Sequence, residues 1–133
     1  MEARRIECHP FVANNEGRVA LARGPLVYCL EGVDHPRVDL RCVWLPDDSE
    51  LHSMFDAGCL GGLVGLSAQA QGVRLEEWNG GLHRTRRQEG IDASPKVGPG
   101  SAVTLRAVPY YAWANREAGS MQVWIRRSPA GRR

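Results

Sequence analysis

This chain of 133 residues is short of lysine, of phenylalanine and of any recognisable metal-ligand spacing. Lys96 is the only lysine among 17 basic residues, a bias that reads as genomic base composition rather than a demand for guanidinium chemistry. The net charge of +2 is too small to point to a nucleic-acid or membrane partner. No stretch approaches the roughly 18 uninterrupted apolar residues of a membrane span. The opening MEARRIECHP lacks the apolar segment that follows the basic residues of a signal peptide. Cys8, Cys29, Cys42 and Cys59 show no CxxC spacing and stand in runs such as LVYCL and RCVWL. That pattern predicts buried free thiols in a reducing, cytoplasmic compartment, not a disulfide framework or a zinc site.

Catalytic signatures are missing as well. His9, His35, His52 and His83 are scattered, without HxH or HExxH spacing. There is no GxSxG elbow, and the glycines of GCLGGLVGL (58–66) match neither GxGxxG nor GxxxxGK. Adjacent carboxylates occur at Glu76-Glu77 and Asp47-Asp48. On a strand the first pair would point to opposite faces, and the second follows a proline where turn chemistry favours aspartate. The first pair therefore cannot flank one substrate bond, and both pairs read as structural. The basic run RTRR (84–87) has no interleaved aromatics and reads as a solvated loop.

What the chain does contain is period-two alternation in short segments. RVALA (18–22), PLVYCLE (25–31), VDLRCVWL (38–45), ELHSMF (50–55), GLVGLSAQ (62–69), GVRLEEW (72–78), AVTLRAVPYYAW (102–113) and MQVWIR (121–126) all read as strands. No segment keeps helical periodicity over three turns behind a cap. Fifteen glycines and eight prolines fall mostly between the strand segments, as a chain of many turns needs. The expectation is one all-β domain over residues 1–133, an antiparallel β-sandwich or jelly-roll of about eight or nine short strands. Residues 79–100, with RTRR, two prolines and several glycines, are expected to form a long loop.

The stretch PYYAWANR (109–116) carries the one cluster that could meet a ligand. Read as a strand entering a hairpin with a loop of about five residues, it sends Tyr111 and Trp113 to one face and Tyr110 and Ala112 to the other. Asn115 and Gly119 suit left-handed backbone positions. One aromatic row would join the core, and the other would lie under a neighbouring element or face outward, to stack a sugar ring or a protein partner. Tyr110, Trp113 and Trp78, with Asn115 and Arg116 as polar contacts, are therefore the candidate sugar or interface residues.

GRVALARGPLVYCLEGVDHP (17–36) near the start and PYYAWANR…MQVWIR (109–126) near the end resemble the C-terminal domain of glycoside hydrolase family 127, the β-L-arabinofuranosidases. LPDDSEL with FDAGCLGGLVGL (45–66) is similar to its middle segment. The likeness extends from about Glu7 to Arg126, and departs where Glu117-Ala118 replaces an expected glycine-proline loop. It implies that catalysis belongs to a helical barrel upstream, where a cysteine nucleophile, a glutamate acid/base and a zinc held by cysteines and a glutamate are proposed. The four cysteines here match none of those motifs, so no catalytic residue and no cofactor carries over. The implied role is a non-catalytic accessory domain. Its partners would be the catalytic and neighbouring β domains or a second subunit, with carbohydrate as the alternative ligand.

Overall fold

The computed structural model describes residues 1–74 and 101–129. Trp78, the end of the 72–78 strand and the expected loop at 79–100 lie outside the described residues. The described residues form nine strands in order: β1 (Ala3–Ile6), β2 (Arg18–Arg23), β3 (Leu26–Glu31), β4 (Val38–Pro46), β5 (His52–Asp56), β6 (Leu63–Arg74), β7 (Ser101–Pro109), β8 (Met121–Gln122) and β9 (Ile125–Ser128). Single 3-10 turns occupy Ala13–Asn15, Gly32–Asp34 and Tyr110–Ala112. The described residues contain no α-helix, in line with the all-β expectation.

Strand pairing runs β2–β9–β4–β6–β7–β3 and returns from β3 to β2, so the pairings close on themselves around one core. β1 extends β2, β5 extends the first half of β6, and β8 extends the end of β3. Among the described residues every pairing is antiparallel except β4–β9, which is parallel. Alternation puts Val19 and Leu21, Tyr28 and Leu30, Val43 and Leu45, Leu66, Ala68 and Ala70, Leu105 and Ala107, and Ile125 inside. Each large aliphatic side chain so buried contributes roughly 1.5–3 kcal/mol. The Tyr28 hydroxyl is spared a desolvation penalty by donating to the Val64 carbonyl at 2.7 Å.

Several boundaries differ from the sequence expectation, each for a physical reason. Residues 63–69 and 72–74 belong to one strand, because Gln71 and Gly72 keep their register with Ala102 and Ser101 of β7. Gly72 is glycine for room: a Cβ there would stand 3.0 Å from Val103 Cγ2 and 3.4 Å from the Cys42 carbonyl. The segment 121–126 is two strands instead of one. β8 pairs with β3, and after a break at Val123-Trp124, β9 joins β2 and β4. The basic start, which the strand segments read from the sequence do not include, forms β1, where Arg5 donates to the Pro46 and Ser49 carbonyls at 3.2 and 2.6 Å.

Candidate functional site: an anchored aromatic turn and an arginine cleft

The strand reading of PYYAWANR stops at Pro109. Tyr110–Ala112 close a 3-10 turn in which the Trp113 N–H donates to the Tyr110 carbonyl at 3.0 Å. A three-residue period replaces the two-residue one, so residues three apart share a side. Tyr110 therefore meets Trp113, with ring centroids 5.7 Å apart, while Ala112 turns inward alone. The expected pairings of Tyr111 with Trp113 and of Tyr110 with Ala112 are not formed. Neither aromatic row is core: Tyr110, Tyr111 and Trp113 are 48%, 66% and 41% exposed. Nor is the unit a hairpin, since β7 and β8 each pair with β3 and not with one another. Ala114, not Asn115 or Gly119, takes the left-handed conformation, at φ 65°.

Beneath the turn lies a small satellite cluster of Cys29, Leu63, Val108 and Ala112. Cys29 and Val108 are register partners whose alternation directs them away from the main core. Charge pairing then fastens the turn. Arg116 grips Asp34 with both terminal nitrogens, Nη1–Oδ1 at 2.9 Å and Nη2–Oδ2 at 2.8 Å, and its Nη2 also donates to Glu31 Oε2 at 2.5 Å. The other Glu31 oxygen accepts the Ala114 N–H at 3.1 Å. The hydrogen bond to Asp34 first, then that to Glu31, raises the guanidinium pKa above its ordinary value against the opposing effect of burial. Asn115 donates locally to the Trp113 carbonyl at 3.3 Å. Of the predicted site residues, Tyr110 and Trp113 thus form an outward surface, and Arg116 and Asn115 are engaged in holding it.

The buried His35 continues this scaffold. Its Nδ1 lies 2.8 Å from the Glu31 carbonyl, which can only accept, while its Nε2 accepts the Arg106 N–H at 3.1 Å. Both ring nitrogens are committed, with the proton on Nδ1. His35 ties β3 to β7 and is not placed for proton transfer to a ligand.

A second feature was not apparent in the sequence. Asn14, Glu16, Arg18, Trp44, Arg126 and Arg127 line a cleft of about 410 Å³. Register makes it: Arg126 of β9 is the direct partner of Arg18 on β2 and of Trp44 on β4. The three side chains share the outer face, because their neighbours Val19, Ile125, Val43 and Leu45 point into the core. The Arg126 guanidinium lies 5.0 Å from the Trp44 ring centroid, within cation–π range. Arg127 pairs with Asp47.

Among the described residues no group of three His, Cys, Asp or Glu side chains converges as a metal site. The four cysteines are unpaired, and burial first, then the Glu31 charge, pushes the Cys29 thiol from 9.0 up to about 11. At Cys29 that environment opposes thiolate formation. No described helix is long and apolar enough to cross a membrane.

Comparison with known proteins gives a consistent result. The description "Glycoside hydrolase family 127 C-terminal domain" matches residues 3–126. A non-reducing end β-L-arabinofuranosidase from Bifidobacterium longum subsp. longum is 37% identical over a match covering 96% of this chain and 18% of that protein. Among solved structures, a family 127 β-L-arabinofuranosidase from Geobacillus stearothermophilus T6 superposes with a TM-score of 0.80 at 40% identity, again covering 96% of this chain and 18% of the other. Another family 127 β-arabinofuranosidase does so with a TM-score of 0.69 at 28% identity. The chain thus spans about 18% of the length of the curated relative it matches.

Proposed function

The chain belongs to the glycoside hydrolase family 127 C-terminal domains, and from that premise we propose that it is a non-catalytic accessory domain of a β-L-arabinofuranosidase-like enzyme. Its work is docking, against the catalytic and neighbouring β domains or against a second subunit. The observation that carries this is the outer edge at β5, where Met54 and Phe55 are 69% and 65% exposed and Leu60 stands exposed on the following turn. Among the described residues the other edge of β5 has no partner strand, and such an edge bearing large apolar side chains is a surface awaiting a partner. Hydrolysis, and any zinc it uses, falls to the rest of such an enzyme. The unpaired thiols support a reducing compartment, the cytoplasm.

Sedimentation velocity over a concentration series tests the docking role. The chain is expected to self-associate reversibly through this edge, and Phe55→Lys to return it to monomer. A strict monomer at every concentration removes the support for an interface.

The exposed neighbouring rings of Tyr110 and Trp113 favour a second reading, a carbohydrate-binding module that stacks a sugar on this turn. In that reading Asn115, Arg116 and Trp78 would add contacts. Alanine at Tyr110 and Trp113 would then abolish saturable sugar binding with the fold intact; unchanged affinity would end the idea.

A further inference from the structure

Arginines in direct register on antiparallel strands repel one another, and such like-charged pairs cost stability. Arg18 and Arg126 form such a pair. Their heads are poorly satisfied within the described residues. Arg18 donates from Nη1 to the Trp124 carbonyl at 3.3 Å, while Arg126 makes no ion pair among the described residues and its Nε, like that of Arg116, has no hydrogen-bond partner. Burial, and then the charge of Arg126, lowers the pKa of Arg18, the direction expected where a cation lacks its counter-charge. Arg127 does not relieve this, because Asp47 already neutralises it. Glu16 is the remaining carboxylate of the lining, is exposed, and makes no ion pair with either arginine among the described residues. Two guanidinium groups without an ion pair among the described residues, against one carboxylate of the lining, leave the cleft cationic.

We propose that this cleft is a binding site for a small ligand held through a carboxylate or phosphate group. Arg126, steadied by the Trp44 ring, and Arg18 opposite it present planar forks of donors to the anion, the geometry that matches such oxyanions. A volume of about 410 Å³ suits a molecule the size of one sugar ring. Asn14 and Glu16 at the cleft wall supply polar partners for its hydroxyl groups. The anion screens the repulsion between the two arginines, so binding recovers what the empty row costs. This site is separate from the aromatic turn and from the β5 edge, and stands or falls without them.

The test is an NMR titration of the chain that follows the Trp44 indole N–H, with three probes: methyl β-glucuronide, inorganic phosphate and neutral methyl β-glucoside. Saturable Trp44 shifts with the glucuronide identify an acidic sugar as the source of the anion, and shifts with phosphate alone identify a free phosphate. The glucoside is expected to leave Trp44 unmoved. Arg126→Gln should weaken binding about tenfold or more, as loss of a charged hydrogen-bond donor does, and Arg18→Gln should weaken it independently. Arg126→Lys, which keeps the charge but not the fork, should fall between wild type and Arg126→Gln. Equal binding of the glucoside, or undiminished anion binding in both glutamine variants, overturns the proposal. So does an unmoved Trp44 with every probe, and weakened self-association in Arg126→Gln would then make the cleft a docking groove instead.

Discussion

Arg116 and Arg126 are both partly buried on the outer surface of the same strand ring, yet they are built in opposite ways. Arg116 meets two carboxylates, and one of those carboxylates also accepts a backbone N–H from the turn that Arg116 begins to leave. Arg126 meets an indole face and another arginine. A guanidinium whose charge is answered inside the fold fixes the conformation of the chain around it. One whose charge is unanswered stabilises little and remains available to something outside. The contrast separates structural from binding arginines by their partners, where burial alone treats them alike.

The largest expected effect comes from breaking the answered site. Arg116→Met leaves Glu31 buried with its charge unpaired and should cost about 3 kcal/mol, read as a shift of the denaturant midpoint. It should also release the Tyr110–Trp113 turn, seen as loss of hydrogen-exchange protection at the Ala114 amide. If stability is unchanged, the anchoring role is wrong.

Next comes the pH dependence of the cluster beneath that turn. The folded Cys29 thiol is pushed up to about 11 from 9.0. Below the lower value both folded and unfolded chains hold the proton, and the thiol adds no pH dependence. Between the two values the unfolded chain ionises first, so stability is lost as pH rises, by about 2–3 kcal/mol across the window. Tyr28, also raised by its burial, adds to the loss at high pH. Comparing wild type with Cys29→Ala at about pH 8 and about pH 11 isolates the thiol. Parallel losses in both proteins would show that Cys29 contributes nothing.

A smaller effect of opposite sign is expected at the unanswered site. Arg18→Gln removes the like-charged cross-strand pair and should stabilise the chain by about 0.2–1 kcal/mol in low salt, the gain shrinking as salt is added. Destabilisation there would mean that Arg18 is structural, as Arg116 is. The smallest change belongs to Tyr110→Ala and Trp113→Ala, exposed positions expected to shift stability by no more than about 0.5 kcal/mol. A loss of several times that would make the aromatic turn part of the packing.

The apolar runs RVALA and LVYCL made β2 and β3 legible in the sequence, since both faces of each are buried, and VDLRCVWL made β4 legible through Leu40, Val43 and Leu45, which lie in the core. The family likeness was legible in the first two of these segments, in 45–66 and in 109–126. The aromatic turn was misread because Pro109 ends the ladder, and the period changes to three within one residue. That change depends on Glu31 and Asp34, some eighty positions away, pulling Arg116 into place. The arginine cleft was hidden for a related reason. Arg18, Trp44 and Arg126 become neighbours only through the β2–β9 and β4–β9 pairings, and the parallel one joins strands far apart in the chain. Local pattern carries no information about such a crossing.

The docking claim is tested most directly by mixing the chain with a family 127 β-L-arabinofuranosidase produced without its own C-terminal domain, and following both by sedimentation velocity. A stoichiometric complex that Phe55→Lys weakens, and that Trp113→Ala leaves intact, is the predicted result. Independent sedimentation of the two proteins at every concentration would contradict it.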